Sequence, residues 1–195
     1  MELPIYLAMV FTISLSGVLS PGPLFAATLS EGLKNPLSGF KISAGHAAVE
    51  VPLILTLYFA GFYLTEDLKA VIALTGGVFL LYLAYEELKE KEEKRISGTL
   101  TGVFLTILNP YFIMWWLTIG FSLVTLSYTF GIAGLILFII VHELTDFGWL
   151  GFVSYFSHKL SRKVNFAKKL KAISAAIFVI FGVYFVTNSV LYFFA

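Results

Sequence analysis

The chain has 195 residues, of which 58% are hydrophobic, 17% aromatic and 13% charged, with a formal charge of +1. A charged share about half that of soluble domains excludes a disordered chain, a nucleic-acid-binding domain and an ordinary cytosolic enzyme. There is no cysteine, so disulfides, thiolate zinc sites and thiol redox chemistry are excluded as well. A mean hydropathy of +0.89 is that of an integral membrane protein.

Crossing roughly 30 Å of hydrocarbon takes about 20 mostly apolar residues. Six segments meet this, at 5–28, 38–63, 68–87, 99–127, 129–157 and 170–194. Polar breaks separate them: Lys34-Asn35-Pro36, Thr65-Glu66-Asp67, the run Glu86 to Arg95, the short turn Ser127-Tyr128, and a basic loop from Ser157 to Lys171. The runs are continuous and lack the period-2 alternation of membrane barrels, so each reads as a helix. The first is expected to be a retained helix and not a signal peptide, because Glu2 stands where lysines would be and no small-x-small cleavage site follows.

Twelve of the thirteen Lys and Arg residues fall on one side: Lys34, Lys41, four in Lys89–Arg95 and six in Lys159–Lys171. Only Lys69 lies on the other, beside Glu66 and Asp67. The positive-inside rule places the rich side in the cytoplasm and both termini outside. The run Glu86 to Arg95 mixes both signs and reads as a solvated helix end. His158, beside Lys159, reads as solvated too.

Three spans per half require any internal repeat to be inverted across the membrane. Ser20-Pro21-Gly22-Pro23 interrupts helix 1 and Asn109-Pro110 interrupts helix 4. Helix 2 carries His46-x-x-x-Glu50 and helix 5 His142-x-x-x-Asp146. Helices 3 and 6 end in Gly76-Gly77-Val78-Phe79 and Phe181-Gly182-Val183-Tyr184. The expected fold is an all-α membrane protein of six transmembrane helices, an inverted 3+3 repeat with helices 1 and 4 broken. Residues 1–95 form the first repeat with its charged linker, and 96–195 the second.

Each proline removes a backbone donor and displaces the carbonyl four residues back. Inside a bilayer such backbone is tolerated only when buried in protein or lining a wet cavity. A proline kink for packing is the simpler account of one break, but paired breaks in corresponding helices point to a substrate site. Asn109 is expected to cap the half-helix that follows. That N-terminus would offer amide hydrogens and a positive dipole end to a substrate carboxylate.

Glu50 and Asp146 lie mid-span, where an acid costs roughly 2.5–3.5 kcal/mol on insertion scales. Each histidine precedes its acid by four residues and shares its face. Glu143 is turned about 100° from His142 and lies off that face. Such pairs can take up and release a proton, as a proton-coupled carrier needs. The same His46, Glu50, His142 and Asp146 could instead ligate a divalent first-row ion, or serve as polar glue between helices. His142-Glu143-x-x-Asp146 lacks the second histidine of metalloproteases, which argues against a membrane protease, and no Gly-x-x-x-x-Gly-Lys-Ser/Thr nucleotide loop occurs. Trp115, Trp116 and Trp149 read as packing or interface anchors. Gly39, Ser43, Ala44, Ala47 and Ala48 suggest close helix contact along helix 2.

Pro21-Gly22-Pro23 late in the first span, Gly39, Gly45 and Glu50 in the second, Gly77 with Leu81-Tyr82-Leu83 in the third, Leu108-Asn109-Pro110 in the fourth and Asp146-x-x-Trp149 in the fifth together resemble the LysE/RhtB amino-acid exporters. The chain departs from that pattern at Val49-Glu50, in place of Gly-Asp, at Tyr111, in place of lysine, and in having His46 and His142. The resemblance implies a non-enzymatic, cofactor-free transporter in the cell membrane that exports amino acids or related small solutes, driven by the proton gradient. It carries over to Pro21, Gly22, Pro23, Gly45, Asn109 and Pro110 for substrate, and to Glu50 and Asp146, with His46 and His142 beside them, for protons. Expected partners are the small-molecule substrate, protons and the lipid bilayer, with a homodimer left open and no nucleic acid. A divalent-cation exporter and a membrane-embedded enzyme using His142, Glu143 and Asp146 are the alternatives.

Overall fold

The computed structural model describes residues 2–19, 22–60, 66–88, 96–161 and 164–194, and these are helical apart from short connections. Ser20 and Pro21 of the expected break in helix 1, Thr65 of the expected break between the second and third segments, and Lys89–Arg95 of the charged run lie outside the described residues.

Helix α1 (Leu3–Val18) stops short of the proline pair, and α2 (Pro23–Gly32) restarts with Pro23 as its first residue after the extended Gly22. Proline suits that first position because its missing N–H would have had no intrahelical partner. A turn then leads to α3 (Ser38–Phe59), where Asn35 Oδ1 accepts from the Leu37 N–H over 2.9 Å. Helix α4 (Glu66–Leu88) begins on Glu66 and Asp67, acids that suit the positive end of the helix dipole. The chain is interrupted a second time between α5 (Thr99–Ile107) and α6 (Pro110–Trp115). Helix α6 continues through a π-helical turn, Trp116–Gly120, into α7 (Phe121–Ser127). A 3-10 turn, Tyr128–Phe130, and Gly131 at φ 59° lead into α8 (Gly131–Ser161), followed by α9 (Val164–Phe194).

Among the described residues, four stretches are long and apolar enough to cross a membrane by themselves: Ser38–Phe59, Glu66–Tyr85, Phe121–Ser161 and Ala175–Phe194. The first and fourth expected segments are instead divided by their proline breaks into pieces. The stretch read as a basic loop from Ser157 to Lys171 is a correction: α8 runs on to Ser161 and α9 starts at Val164. Its lysines made it read as a loop, yet lysine is a good helix former.

Helix α3 packs against α5 and α8, and α4 lies along α9. Glycines permit these approaches. A Cβ on Gly45 would collide with the Thr99 carbonyl, and one on Gly102 with the Ile42 carbonyl, so α3 and α5 meet backbone to backbone. A Cβ on Gly39 would collide with the Leu150 carbonyl of α8. One apolar cluster, including Tyr6, Ile54, Trp116, Leu123 and Phe138, joins α1, α3, α7, α8 and the π turn. Another, including Ala26, Leu80, Leu105 and Phe178, joins α2, α4, α5 and α9. Of the small residues expected at contacts along α3, Gly39 and Ser43 are buried but Ala44 and Ala48 are exposed. A small side chain permits close packing without requiring it.

Candidate functional site

A cavity of about 150 Å³ lies where the two interruptions meet α3 and α8. By the roughly 15 Å³ that one water takes on this measure, it would hold about ten waters or a small solute. Gly22 and Pro23 from the first interruption and Asn109 from the second reach it, as do His46 and Glu50 from α3 and His142 and Asp146 from α8. Phe25, Phe112, Trp115, Trp116 and Phe181 supply aromatic walls.

The i,i+4 spacing on α3 and α8 turns each His–acid pair inward, and the helix crossing brings the two pairs together. His46 Nε2 is 3.1 Å from Glu50 Oε1 and 3.9 Å from Asp146 Oδ1. His142 Nε2 is 3.4 Å from Glu50 Oε1 and 3.6 Å from Asp146 Oδ2. Both imidazoles therefore face both acids, and Glu50 Oε1 is the atom they share. All four residues are buried, Glu50 to 2% exposure. His46, Glu50 and Asp146 each bring one ligand-type atom to within 4.8 Å of the others, a donor set that a cation or a proton could use.

The surrounding helices complete the network. Trp116, at the start of the π turn, donates its indole N–H to Glu50 Oε1 over 2.9 Å. His46 Nδ1 and Thr106 Oγ1 of α5 are 2.7 Å apart, as are His142 Nδ1 and Ser14 Oγ of α1. Ser43 donates to the Asp146 backbone carbonyl over 3.3 Å. Glu50 Oε2 is buried without a hydrogen-bond partner among the described residues. Buried carboxylate oxygens are costly to leave unpaired, so this oxygen of a cavity-lining residue is poised for a proton, a cation or an ammonium group.

Not every residue expected at the site reaches it. Gly45 faces the α5 backbone, Pro110 starts α6 just behind the Asn109 cap, and Pro21 lies outside the described residues. Asn109 accepts from the Tyr111 N–H over 3.1 Å, the cap expected of it. Glu143 is not among the cavity-lining residues, and both its carboxyl oxygens are buried with no hydrogen-bond partner among the described residues. Trp149 stacks on Phe25 at 6.3 Å, a packing role as read. His158 is only half-buried, but its Nδ1 is shielded from solvent, which the reading as solvated did not anticipate.

Ser14, Thr106 and the Trp116 hydrogen bond were not legible in the sequence. Hydroxyls in helices usually donate to the carbonyl one turn back, as Thr12, Thr56 and Thr125 do here. Nothing in the chain marks out the two that reach a histidine on another helix.

The sequence pattern of a family described as LysE type translocator matches residues 15–189. No curated protein and no solved structure matches the chain.

Proposed function

We infer the function from one premise: the chain belongs to the LysE type translocator family, whose pattern spans nearly all of it. That makes it a multi-pass membrane protein that moves a small solute, and not an enzyme family member. Beyond the premise, our reading is a secondary transporter that exports amino acids or related solutes from the cytoplasm across the cell membrane, coupled to protons, by alternating access. The observation that carries it is the meeting of both proline-broken stretches and both His–acid pairs in one cavity. Backbone freed at Gly22–Pro23 and at Asn109 would take the polar ends of the solute. Glu50 and Asp146, with His46 and His142, would carry the protons.

Two inverted halves, 1–95 and 96–195, with both termini outside, fit this scheme. Support comes from the order of parts: a break, then a His–acid helix, then a glycine-bearing helix, in each half. Helix α4 lies along α9, and their glycines Gly77 and Gly182 face each other mid-helix and not at the helix ends.

The test is uptake into inside-out proteoliposomes, screened with labelled amino acids and with divalent metals, with and without an imposed proton gradient. Amino-acid accumulation that collapses with the gradient, and is lost in Glu50→Gln, is the expected result. Metal accumulation with no amino-acid signal would instead assign the four side chains to a cation and overturn the reading. Turnover of a solute in detergent, with no compartments, would point to an enzyme.

A further inference from the structure

Each imidazole of the cavity is held at its Nδ1 by a hydroxyl from the other half of the chain. Thr106 stands on α5, which ends at Ile107 before the second interruption, and reaches His46 on α3. Ser14 stands on α1, which ends at Val18 before the first, and reaches His142 on α8. Both separations are 2.7 Å and all four residues are buried. If the two halves are exchanged, one contact becomes the other.

The two hydroxyls nevertheless differ in what they can do. Thr106 donates its hydrogen to the Gly102 carbonyl over 2.7 Å. A hydroxyl has one hydrogen, so toward His46 it can only accept. His46 Nδ1 therefore carries the N–H, and Nε2 is the nitrogen turned to Glu50 Oε1 at 3.1 Å. A bare nitrogen lone pair and a carboxylate oxygen at that distance repel, so a hydrogen lies between them, on Nε2 or on Glu50. Ser14 has His142 Nδ1 as its hydrogen-bond partner among the described residues. By rotating, it offers that nitrogen either its hydrogen or a lone pair. His142 can thus hold a hydrogen at Nε2 alone or at both nitrogens without losing the contact.

We propose that Thr106 and Ser14 are positioning residues of the transport site: Thr106 fixes His46 in its Nδ1–H form, and Ser14 follows the hydrogens of His142. Through them the two His–acid pairs are joined to the half-helices that end at the interruptions. The other titratable groups around these imidazoles are Glu50 on α3, Asp146 and Glu143 on α8, and Tyr111 on α6. The inference rests on the transporter reading for its consequence but not for its geometry.

Two measurements on the full chain in bilayers test it. Solid-state nitrogen NMR of histidine-labelled protein should show His46 with hydrogen at Nδ1. Thr106→Val, or Thr106→Ala should the valine variant not fold, should mix that form with the Nε2–H form, and Thr106→Ser should restore it. In proteoliposomes, Ser14→Ala should displace the pH of half-maximal transport by about one unit, the tenfold change that one hydrogen bond to a charged group commonly makes. An unchanged His46 spectrum in the Thr106 variants, or a Ser14→Ala pH profile that superimposes on the wild type, overturns the proposal. Should the wild type move none of the solutes tested, the transporter reading fails, and the spectra alone decide the tautomer.

Discussion

Trp116 Nε1 sits 2.9 Å from Glu50 Oε1, joining two residues that are 1% and 2% exposed and lie on elements far apart in sequence. The indole reaches Glu50 from the first residue of a π-helical turn, a local insertion of the kind that re-aims a side chain. Gly120 closes that turn, and the Trp116 ring occupies the space that a Cβ there would need. Trp116→Phe keeps most of the ring and removes the N–H, leaving Glu50 one donor short. We expect a loss of about 1–3 kcal/mol in unfolding free energy, the cost of an unmade buried hydrogen bond. A double-mutant cycle with Glu50→Leu should give a coupling above about 0.5 kcal/mol. Strict additivity would show that the two side chains merely adjoin.

Gly77 of α4 and Gly182 of α9 pack face to face. A Cβ on Gly77 would lie 2.9 Å from the Gly182 carbonyl, and one on Gly182 would lie 3.0 Å from the Gly77 carbonyl. The nearest obstacles are side chains of the facing helix, Val186 Cγ2 at 2.8 Å from the first and Leu81 Cγ at 2.8 Å from the second, with the backbone just behind them, so a methyl group must displace both. Gly77→Ala and Gly182→Ala should each destabilise by about 1–3 kcal/mol, as overpacking does. Gly148→Ala is the control, because a Cβ there meets nothing within 4 Å. Thermal unfolding in detergent compares the three, and equal melting points for all of them would refute the contact.

Glu31 of α2 clasps the start of α5. The Gly98 N–H donates to its Oε2 over 2.7 Å, and the Thr101 hydroxyl donates to Oε1 over 2.6 Å. A carboxylate at a helix N-terminus satisfies donors that have no intrahelical partner and meets the positive end of the dipole. Glu31→Ala should release the first turn of α5, costing about 1–2 kcal/mol. Hydrogen exchange reads this directly. Amides of the first turn of α5 should lose protection while those in the middle of α8 keep theirs, and uniform exchange across both would mean that Glu31 acts globally.

What could be read from the sequence followed from large local energies. The prolines at the two interruptions announced their breaks, since each removes a donor that a bilayer cannot replace, although Pro52 lies inside α3 without ending it. Glu50 and Asp146 were legible because mid-span acids are expensive, and their histidines because i,i+4 spacing fixes a shared face. Convergence of both pairs on Glu50 Oε1 depends on how α3 and α8 cross, which no spacing within one helix encodes. The same holds for Ser14 and Thr106, whose cross-helix use rests on tertiary register. Trp116 was read as an anchor because an indole fits packing equally well, and the π turn that aims it left no recognisable signal. Gly45, singled out for substrate, meets the α5 backbone instead of the cavity. Sequence marks a glycine where something comes close, but not whether that is a ligand or another helix.

Asn109 combines two roles that one pair of substitutions separates. Its Oδ1 accepts from the Tyr111 N–H over 3.1 Å and so caps α6, while the residue also lines the cavity. The cap uses the oxygen, so the side-chain NH2 group, with two hydrogens, remains the part able to donate to a solute. Asn109→Asp keeps an oxygen for the cap and adds a charge that suits the helix N-terminus, whereas Asn109→Ala removes the cap at about 1 kcal/mol. Stability should therefore fall only in the alanine variant. Transport should suffer in both, with KM rising about tenfold for one lost hydrogen bond to the solute. Concentration-dependent uptake into proteoliposomes measures it. An aspartate variant that transports with the wild-type KM would reduce Asn109 to a cap and leave the solute to be held by the backbone of the two interruptions.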